Sequence, residues 1–283
     1  MILSIVWLIL SLGAAASTYY FLGLYQQWYW IFVPILMVPL GYVVCFGLHC
    51  AYMWFTGLFN LKRKVADHAS RYVYWEFEET TWQALFLMGA RIKVTGKELL
   101  KGRKGPFVII NNHLSDFDQF VIISRFRGYP LICVSKPENF NIPVAGPWMG
   151  YGGYLAINRD DAFEAVKTIR RASQIVGSKQ ASIGISPEGT RSKDHQIHEF
   201  KPGAFKVATW GKQPLVVCCL HDTWKIPHNF KRLRPTKINL DILEVIEPEA
   251  FQKEDTVSLA NHCHDLIAAR LSQLDALSLA SKK

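Results

Sequence analysis

No Asp, Glu, Lys or Arg occurs between Met1 and Leu61, and all 32 basic and 23 acidic residues fall in Lys62–Lys283. This asymmetry restricts the fold more than any other feature. A helix that is apolar all round must lie in a protein core or in lipid. Met1–Leu24 and Ile31–Phe59 each exceed the ~20 residues a spanning helix needs. Between them, Tyr25-Gln-Gln-Trp-Tyr-Trp30 has the aromatic, mildly polar character of a headgroup interface. The leader lacks a basic start and runs far beyond the apolar segment of a cleaved signal. Lys62-Arg63-Lys64 follows, which by the positive-inside rule places this end and the domain behind it in the cytoplasm. The first reading is a spanning hairpin. A hairpin dipping into one leaflet is its rival, because Pro34, Pro39 and several Gly can bend the helices; a buried core pair is the third. The expected organisation is a membrane-anchoring helical hairpin over 1–61 and a domain over 62–283, large enough for its own core.

The net charge of +9 belongs wholly to that domain. A basic surface suits nucleic acid, anionic lipid or a phosphorylated substrate. Beside a membrane anchor, lipid is favoured, and no zinc-finger spacing or basic-aromatic interleaving speaks for nucleic acid. The six Cys (Cys45, Cys50, Cys133, Cys218, Cys219 and Cys263) contain no C-x-x-C and read as small core residues in a reducing compartment.

Along the domain, Lys64–Ala90 predicts one long helix, lying on the membrane surface or capping the domain. Short apolar runs then predict strands at Ile92–Thr95, Phe107–Ile110, Leu131–Ser135, Tyr154–Ile157, Ser182–Ser186, Leu215–Leu220 and Lys237–Ile246. Helical patterns alternate with them. Asp160–Val176 places Phe163, Val166, Ile169, Ser173 and Val176 on one stripe, with Asp160 or Asp161 as cap, and Thr256–Leu277 is a second amphipathic helix. The fold class expected is α/β: a mostly parallel central sheet flanked by helices, preceded by the two-helix anchor. Ligands of such sheets bind at the carboxyl ends of the strands.

Polar clusters stand at several strand ends. Val108–Ile110 runs into Asn111-Asn112-His113, with Asp116 and Asp118 close behind. Residues five apart do not share a helix face, so His113 and Asp118 meet only if His113 precedes a helix and Asp118 lies in its first turns. Ser115 or Asp116 would then cap that helix. In that geometry Asp118 fixes the tautomer and leaves the other imidazole nitrogen as a base. A capped polar turn explains the same residues equally well. A metal site needs more ligands at rigid spacing than are found here, so none is assigned. Gly184-Ile-Ser186-Pro-Glu188 fails as a nucleophile elbow, so His113 would have to activate an external hydroxyl or water. Glu188-Gly-Thr-Arg191 combines a tight turn, a hydroxyl and a guanidinium, which suits a phosphate, and Arg159 and Lys136 can add charge.

Four blocks carry a resemblance: the H-x-x-x-x-D of His113 and Asp118; Gly153-Tyr-Leu-Ala-Ile-Asn-Arg159; Pro187-Glu-Gly-Thr-Arg191 followed by Phe200-Lys-Pro-Gly203; and Pro214-Leu-Val-Val217. In this order, over about 96–220, they resemble the glycerophospholipid acyltransferases, most closely the bacterial 1-acyl-glycerol-3-phosphate (lysophosphatidic acid) acyltransferases. The resemblance implies acyl transfer from acyl-CoA or acyl carrier protein to the sn-2 hydroxyl of lysophosphatidic acid, giving phosphatidic acid. It makes His113 the general base and Asp118 its orienter, and it needs no cofactor beyond the thioester co-substrate. It gives a phosphate-binding role to Arg159, Gly189, Thr190 and Arg191, with Glu188 shaping the pocket. Asn158 stands where many members carry Asp, which removes a charge partner from Arg159. The partners implied are the lipid bilayer, lysophosphatidic acid and the thioester donor, not nucleic acid; the location implied is the cytoplasmic face of a bacterial inner membrane. Three readings stay beside this one: another lysophospholipid or glycerol 3-phosphate as acceptor, a membrane-anchored hydrolase, and a non-catalytic lipid-binding protein.

Overall fold

The computed structural model describes residues 2–60, 71–251 and 254–280. Lys62-Arg63-Lys64 and the first turns of the helix predicted from Lys64 lie outside them.

The seven predicted strands all form: β1 (Ala90–Thr95), β2 (Val108–Asn111), β3 (Leu131–Ser135), β4 (Leu155–Ala156), β5 (Ser182–Ile185), β6 (Leu215–His221) and β7 (Thr236–Ile246). They make one sheet in the order β1-β7-β6-β2-β5-β3-β4. Every pairing is parallel except β6 with β7, which is antiparallel with a bulge at Val217/Cys218. β2 and β5 are buried at every position and apolar except for Asn111 and Ser182, as suits central parallel strands covered on both faces.

The helices, in chain order, are α1 (Ile2–Phe21), α2 (Phe32–Asn60), α3 (Arg71–Leu87), α4 (Asp118–Arg125), α5 (Ala145–Tyr151), α6 (Ala162–Gly177), α7 (Lys206–Gly211), α8 (Lys225–Phe230), α9 (Pro248–Phe251) and α10 (Thr256–Ala280). They divide between the two faces of the sheet because strand side chains alternate. Phe107, Ile109, Cys133 and Val216 pack with α3, α4, α5 and Met53 of α2. Val108, Ile110, Val134, Ile183, Ile185 and Val217 pack with α6, α7 and α10. Asp161 caps α6, accepting from Phe163 N–H at 2.9 Å and Glu164 N–H at 3.1 Å. Only the later part of the predicted α6 stripe is core: Ile169, Ser173 and Val176 are buried, whereas Phe163 and Val166 are exposed.

α1 and α2 are both long and apolar enough to cross a membrane. They form a hairpin in which Trp7 packs on Tyr42, Phe46 and His49. The described part of the helix predicted to lie on the membrane surface or to cap the domain is α3. Residues of α3 are wedged between α2 and the sheet: Val73, Phe77 and Leu85 enter the core, while its polar side chains meet the hairpin. There Tyr42 donates to Gln83 at 3.0 Å, His49 lies 3.1 Å from the Thr80 hydroxyl and 3.2 Å from Glu76, and Tyr52 is 3.0 Å from the Tyr72 hydroxyl. Trp148 of α5 donates to the Met53 carbonyl at 2.8 Å, fixing the far end of α2 to the domain. The uncharged leader and the charged domain are thus joined by a strip of hydrogen bonds, which apolar packing alone would not align.

Candidate active site

β2 ends at Asn111, Asn112 follows before His113, and both Asn are buried pins. Asn112 accepts from Leu220 N–H at 2.8 Å and donates to Leu220 C=O at 2.9 Å, so its amide prolongs the ladder between β2 and β6. Asn111 donates to Asn112 C=O at 2.7 Å and to the Ser186 hydroxyl at 3.1 Å, tying β2 to the loop after β5. The backbone of His113 is gripped from that same loop. Its N–H donates to Glu188 at 2.7 Å, and its C=O accepts from Ser192 N–H at 2.9 Å. The second oxygen of Glu188 accepts from His198 N–H at 3.3 Å. Burial raises the Glu188 pKa above the ordinary carboxylate range, opposed by these bonds and by nearby imidazoles.

His113 precedes α4, and Asp118 is its first residue, as the spacing requires. Asp118 Oδ2 lies 2.8 Å from His113 Nδ1 and also accepts from Leu114 N–H at 2.7 Å and Ser115 N–H at 2.8 Å. Its Oδ1 accepts from the Thr223 hydroxyl at 2.5 Å. Asp118 is fully buried, and four donors converge on it. A carboxylate so solvated stays an acceptor, which puts the proton on His113 Nδ1 and leaves Nε2 as the lone-pair nitrogen. Neither Ser115 nor Asp116 caps α4, whose N-cap is Phe117 without a side-chain bond; Ser115 instead accepts from Phe117 N–H at 2.9 Å within the preceding turn. Asp116, the other candidate cap, points outward and pairs with Arg191.

His113 opens onto a cavity of about 270 Å³. Of the predicted site residues, His113, Lys136, Arg159, Gly189 and Arg191 line it; Asp118 and Glu188 sit buried behind it as supports, and Thr190 is exposed and outside the lining. Lys201 and Lys206 add two cations, against Asp116 as the one lining carboxylate. The site therefore attracts anions. Arg159 has a buried Nη1 without an acceptor among the described residues, so its guanidinium holds unused donor capacity. Burial lowers the Arg159 pKa, while the Glu138 carboxylate works against that shift and stands in for the charge partner that Asn158 does not supply. Asn158 instead accepts from Asp160 N–H at 3.1 Å within the turn. Gly189 adopts φ +79°, a conformation that favours glycine, and Lys201 Nζ lies 3.1 Å from where a Cβ would stand. Apolar residues of the opposite wall, among them Val134, Ile157, Val166, Ile169 and Ile185, complete the lining. The fourth block does not reach the cavity: Pro214 accepts from Val108 N–H, at the start of β2.

The Acyltransferase family model matches residues 91–221, which span the pinned strand, the dyad and the cationic loops. The 1-acyl-sn-glycerol-3-phosphate acyltransferase of Escherichia coli is 30% identical over 172 residues, covering 60% of this chain and 69% of that protein. The chain belongs to the glycerophospholipid acyltransferase family. A chloroplastic 1-acyl-sn-glycerol-3-phosphate acyltransferase of Brassica napus is 37% identical over 133 residues, 47% of this chain and 38% of its own. The fold is that of the crystal structure of the 1-acyl-sn-glycerophosphate acyltransferase PlsC from Thermotoga maritima, with TM-score 0.61, 22% identity and coverage of 81% of this chain and 89% of that one.

Sequence reasoning about this acyltransferase missed Thr223 and Lys206. Thr223 lies beyond the last block, and its bond to Asp118 joins residues 105 apart. Lys201 was visible as the second residue of Phe200-Lys-Pro-Gly203, but nothing in the order of residues says that it turns toward Gly189.

Proposed function

We propose that the protein transfers a fatty acyl group from a thioester, acyl-CoA or acyl carrier protein, to the sn-2 hydroxyl of lysophosphatidic acid, giving phosphatidic acid. The observation that carries this reading is the dyad: an imidazole with Nδ1 held by a four-donor carboxylate and its ring facing a cationic cavity. His113 Nε2 takes the proton of the lysolipid hydroxyl as its oxygen attacks the thioester carbonyl. Asp118 holds the ring and stabilises the imidazolium. Collapse of the tetrahedral intermediate breaks the C–S bond, and His113 returns the proton to the departing thiolate. Gly189 N–H is already bonded to Ser186 C=O at 3.2 Å, so stabilisation of the oxyanion falls to the Arg191 end of that turn. The acceptor phosphate lies among Arg159, Arg191 and Lys136, where the Asp116–Arg191 pair, exposed and weak, gives way to it.

The hairpin brings the site to its lipid, and the geometry favours entry into one leaflet. Beyond the contact of Ser11 with Gly41 the hairpin continues as Leu12–Leu40. At ~1.5 Å per helical residue each arm reaches about 15 Å further, half of a ~30 Å hydrocarbon core. A full span would carry Glu76, Glu79 and Arg127, which is paired with Glu79, to bilayer depth. The aromatic tip favours an interface, but the cost of burying that charged helix outweighs this preference. The domain then rests on the cytoplasmic face, in a bacterium on the inner membrane, with its basic surface against anionic lipid.

The test is purified protein with labelled acyl-CoA or acyl carrier protein and a panel of lysophospholipids and glycerol 3-phosphate, read by thin-layer chromatography. Labelled phosphatidic acid from lysophosphatidic acid is expected. Free fatty acid without acceptor dependence, or no labelled phospholipid from either donor, refutes the reading. Arg191→Ala is expected to raise KM for lysophosphatidic acid about 10-fold with little change in kcat; an unchanged KM would move the phosphate elsewhere.

A further inference from the structure

The cavity does not end at the dyad. It continues across the carboxyl edge of the sheet to the cleft between α6 and α7, where Val166, Lys206 and Trp210 line it. This cleft lies on the sheet face that packs with α6, α7 and α10; the hairpin, α3 and α5 occupy the other face. Two features of the cleft are unexplained by folding. The α6 stripe leaves the core at its N-terminal end, with Phe163 and Val166 exposed beside the opening, and Trp210 is exposed on α7. Cations also gather there: Lys206 Nζ stands 5.4 Å and the Arg170 guanidinium 5.9 Å from the Trp210 ring, with Lys167 Nζ 4.3 Å over Phe163. The one carboxylate on α6, Glu164, is already bonded to Lys167 at 2.7 Å.

We infer that the α6–α7 cleft is the donor entrance, binding the phosphopantetheine arm of the acyl thioester. This deepens the acyltransferase reading above and rests on it. The acceptor is a lipid and arrives from the hairpin side. The donor, whether coenzyme A or carrier protein, arrives in water and presents a slender amide-bearing arm ending in a phosphodiester or pyrophosphate. An exposed indole offers a face for that arm, and Lys206 and Arg170 offer charge to its phosphate. The apolar wall from Val166 through Ile169 to Val134 accommodates the acyl end on the way to His113. The two substrates then meet at the carboxyl edge of the sheet from opposite faces, so neither must leave before the other enters.

The experiment measures initial rates for wild type, Trp210→Ala, Lys206→Glu and Arg170→Glu, varying donor and acceptor separately, with palmitoyl-CoA and palmitoyl-carrier protein in parallel. Each variant is expected to raise the donor KM 5-fold or more and to leave the KM for lysophosphatidic acid within 2-fold. Free coenzyme A should inhibit wild type competitively against palmitoyl-CoA, with its inhibition constant raised in Lys206→Glu. Equal effects on both donors identify the shared arm as the ligand; an effect on carrier protein alone would place a protein contact there and overturn the arm assignment. Unchanged donor KM, or a rise confined to the acceptor, also overturns it. Arg170 lies on the exposed surface, so its variant tests the idea even where Trp210→Ala fails to fold. Failure of wild type to transfer from either donor would instead refute the acyltransferase reading itself, a distinct outcome.

Discussion

Two of the molecule's histidine–aspartate pairs, of nearly equal length, are built inside out from each other. His113 Nδ1 lies 2.8 Å from Asp118, and His221 Nε2 lies 3.0 Å from Asp275. In the first pair the side-chain exposures are 17% for His and 0% for Asp; in the second they are 7% for His and 66% for Asp. Asp118 is held by two backbone N–H groups, a hydroxyl and the imidazole, whereas among the described residues Asp275 has only the imidazole as a hydrogen-bond partner. The remaining nitrogen of His113 belongs to a ring that lines the cavity. The remaining nitrogen of His221 is buried, 3.7 Å from Asp222 and without a hydrogen bond among the described residues. Distance between partners therefore does not distinguish the two pairs. The buried carboxylate and the open second nitrogen do, and a general base needs its ring both oriented and reachable.

The strongest way to break this contrast is to truncate both rings. His113→Ala should lower kcat by on the order of 10²–10⁴, with the fold intact by circular dichroism. His221→Ala should leave kcat of the folded protein within about 2-fold and show itself as a lower Tm. Comparable kcat losses at the two positions would erase the distinction. One step weaker, Asp118→Asn should cost on the order of 10²-fold in kcat, because an amide cannot accept all four bonds and invites the wrong tautomer. Asp275→Asn, at an exposed site, should change kcat and Tm little, and a large effect on turnover would give the second pair a role it lacks here.

Thr223 sharpens the comparison at the level of support. Thr223→Val removes a donor to the buried Asp118 carboxylate and should reduce kcat about 10-fold at unchanged KM values. Thr223→Ser should restore kcat; a loss shared equally by the Ser variant would reduce Thr223 to packing. The smallest effect concerns Glu188. Because burial raises its pKa, the folded state holds its proton more tightly than the unfolded chain. That contribution is full below the ordinary value of 4.5 and is lost as pH rises through the folded value. The Tm of wild type relative to Glu188→Gln should accordingly fall from pH 4 toward neutrality, by roughly a few degrees; a relative rise with pH would contradict the raised pKa.

Much of this was legible in the order of residues, for local reasons. Seven apolar runs became seven strands, because a buried strand needs little beyond continuous β-formers between turn residues. The five-residue step from His113 to Asp118 already required the His to stand before a helix. The cationic loops were legible as Arg159 and Glu188–Arg191. The two Asn before His113 were visible but mute, since their partners are Leu220 and Ser186, far along the chain. Thr223 and Lys206 were silent for the same reason, and the α6 stripe over-predicted burial because periodicity cannot tell a core from the wall of a cavity.

By itself, then, the sequence determined that an uncharged hairpin precedes a basic α/β domain, and that His113 and Asp118 can meet. Both follow from hydropathy and helix geometry, which act over a few residues. The tertiary structure decided which loops share that dyad. Strand order sets β2 between β5 and β6, and strand order depends on crossover packing rather than on any local pattern. Only that order brings Glu188 to the His113 backbone and Thr223 to the far side of Asp118, and puts the hairpin and the α6–α7 cleft on opposite faces of one sheet.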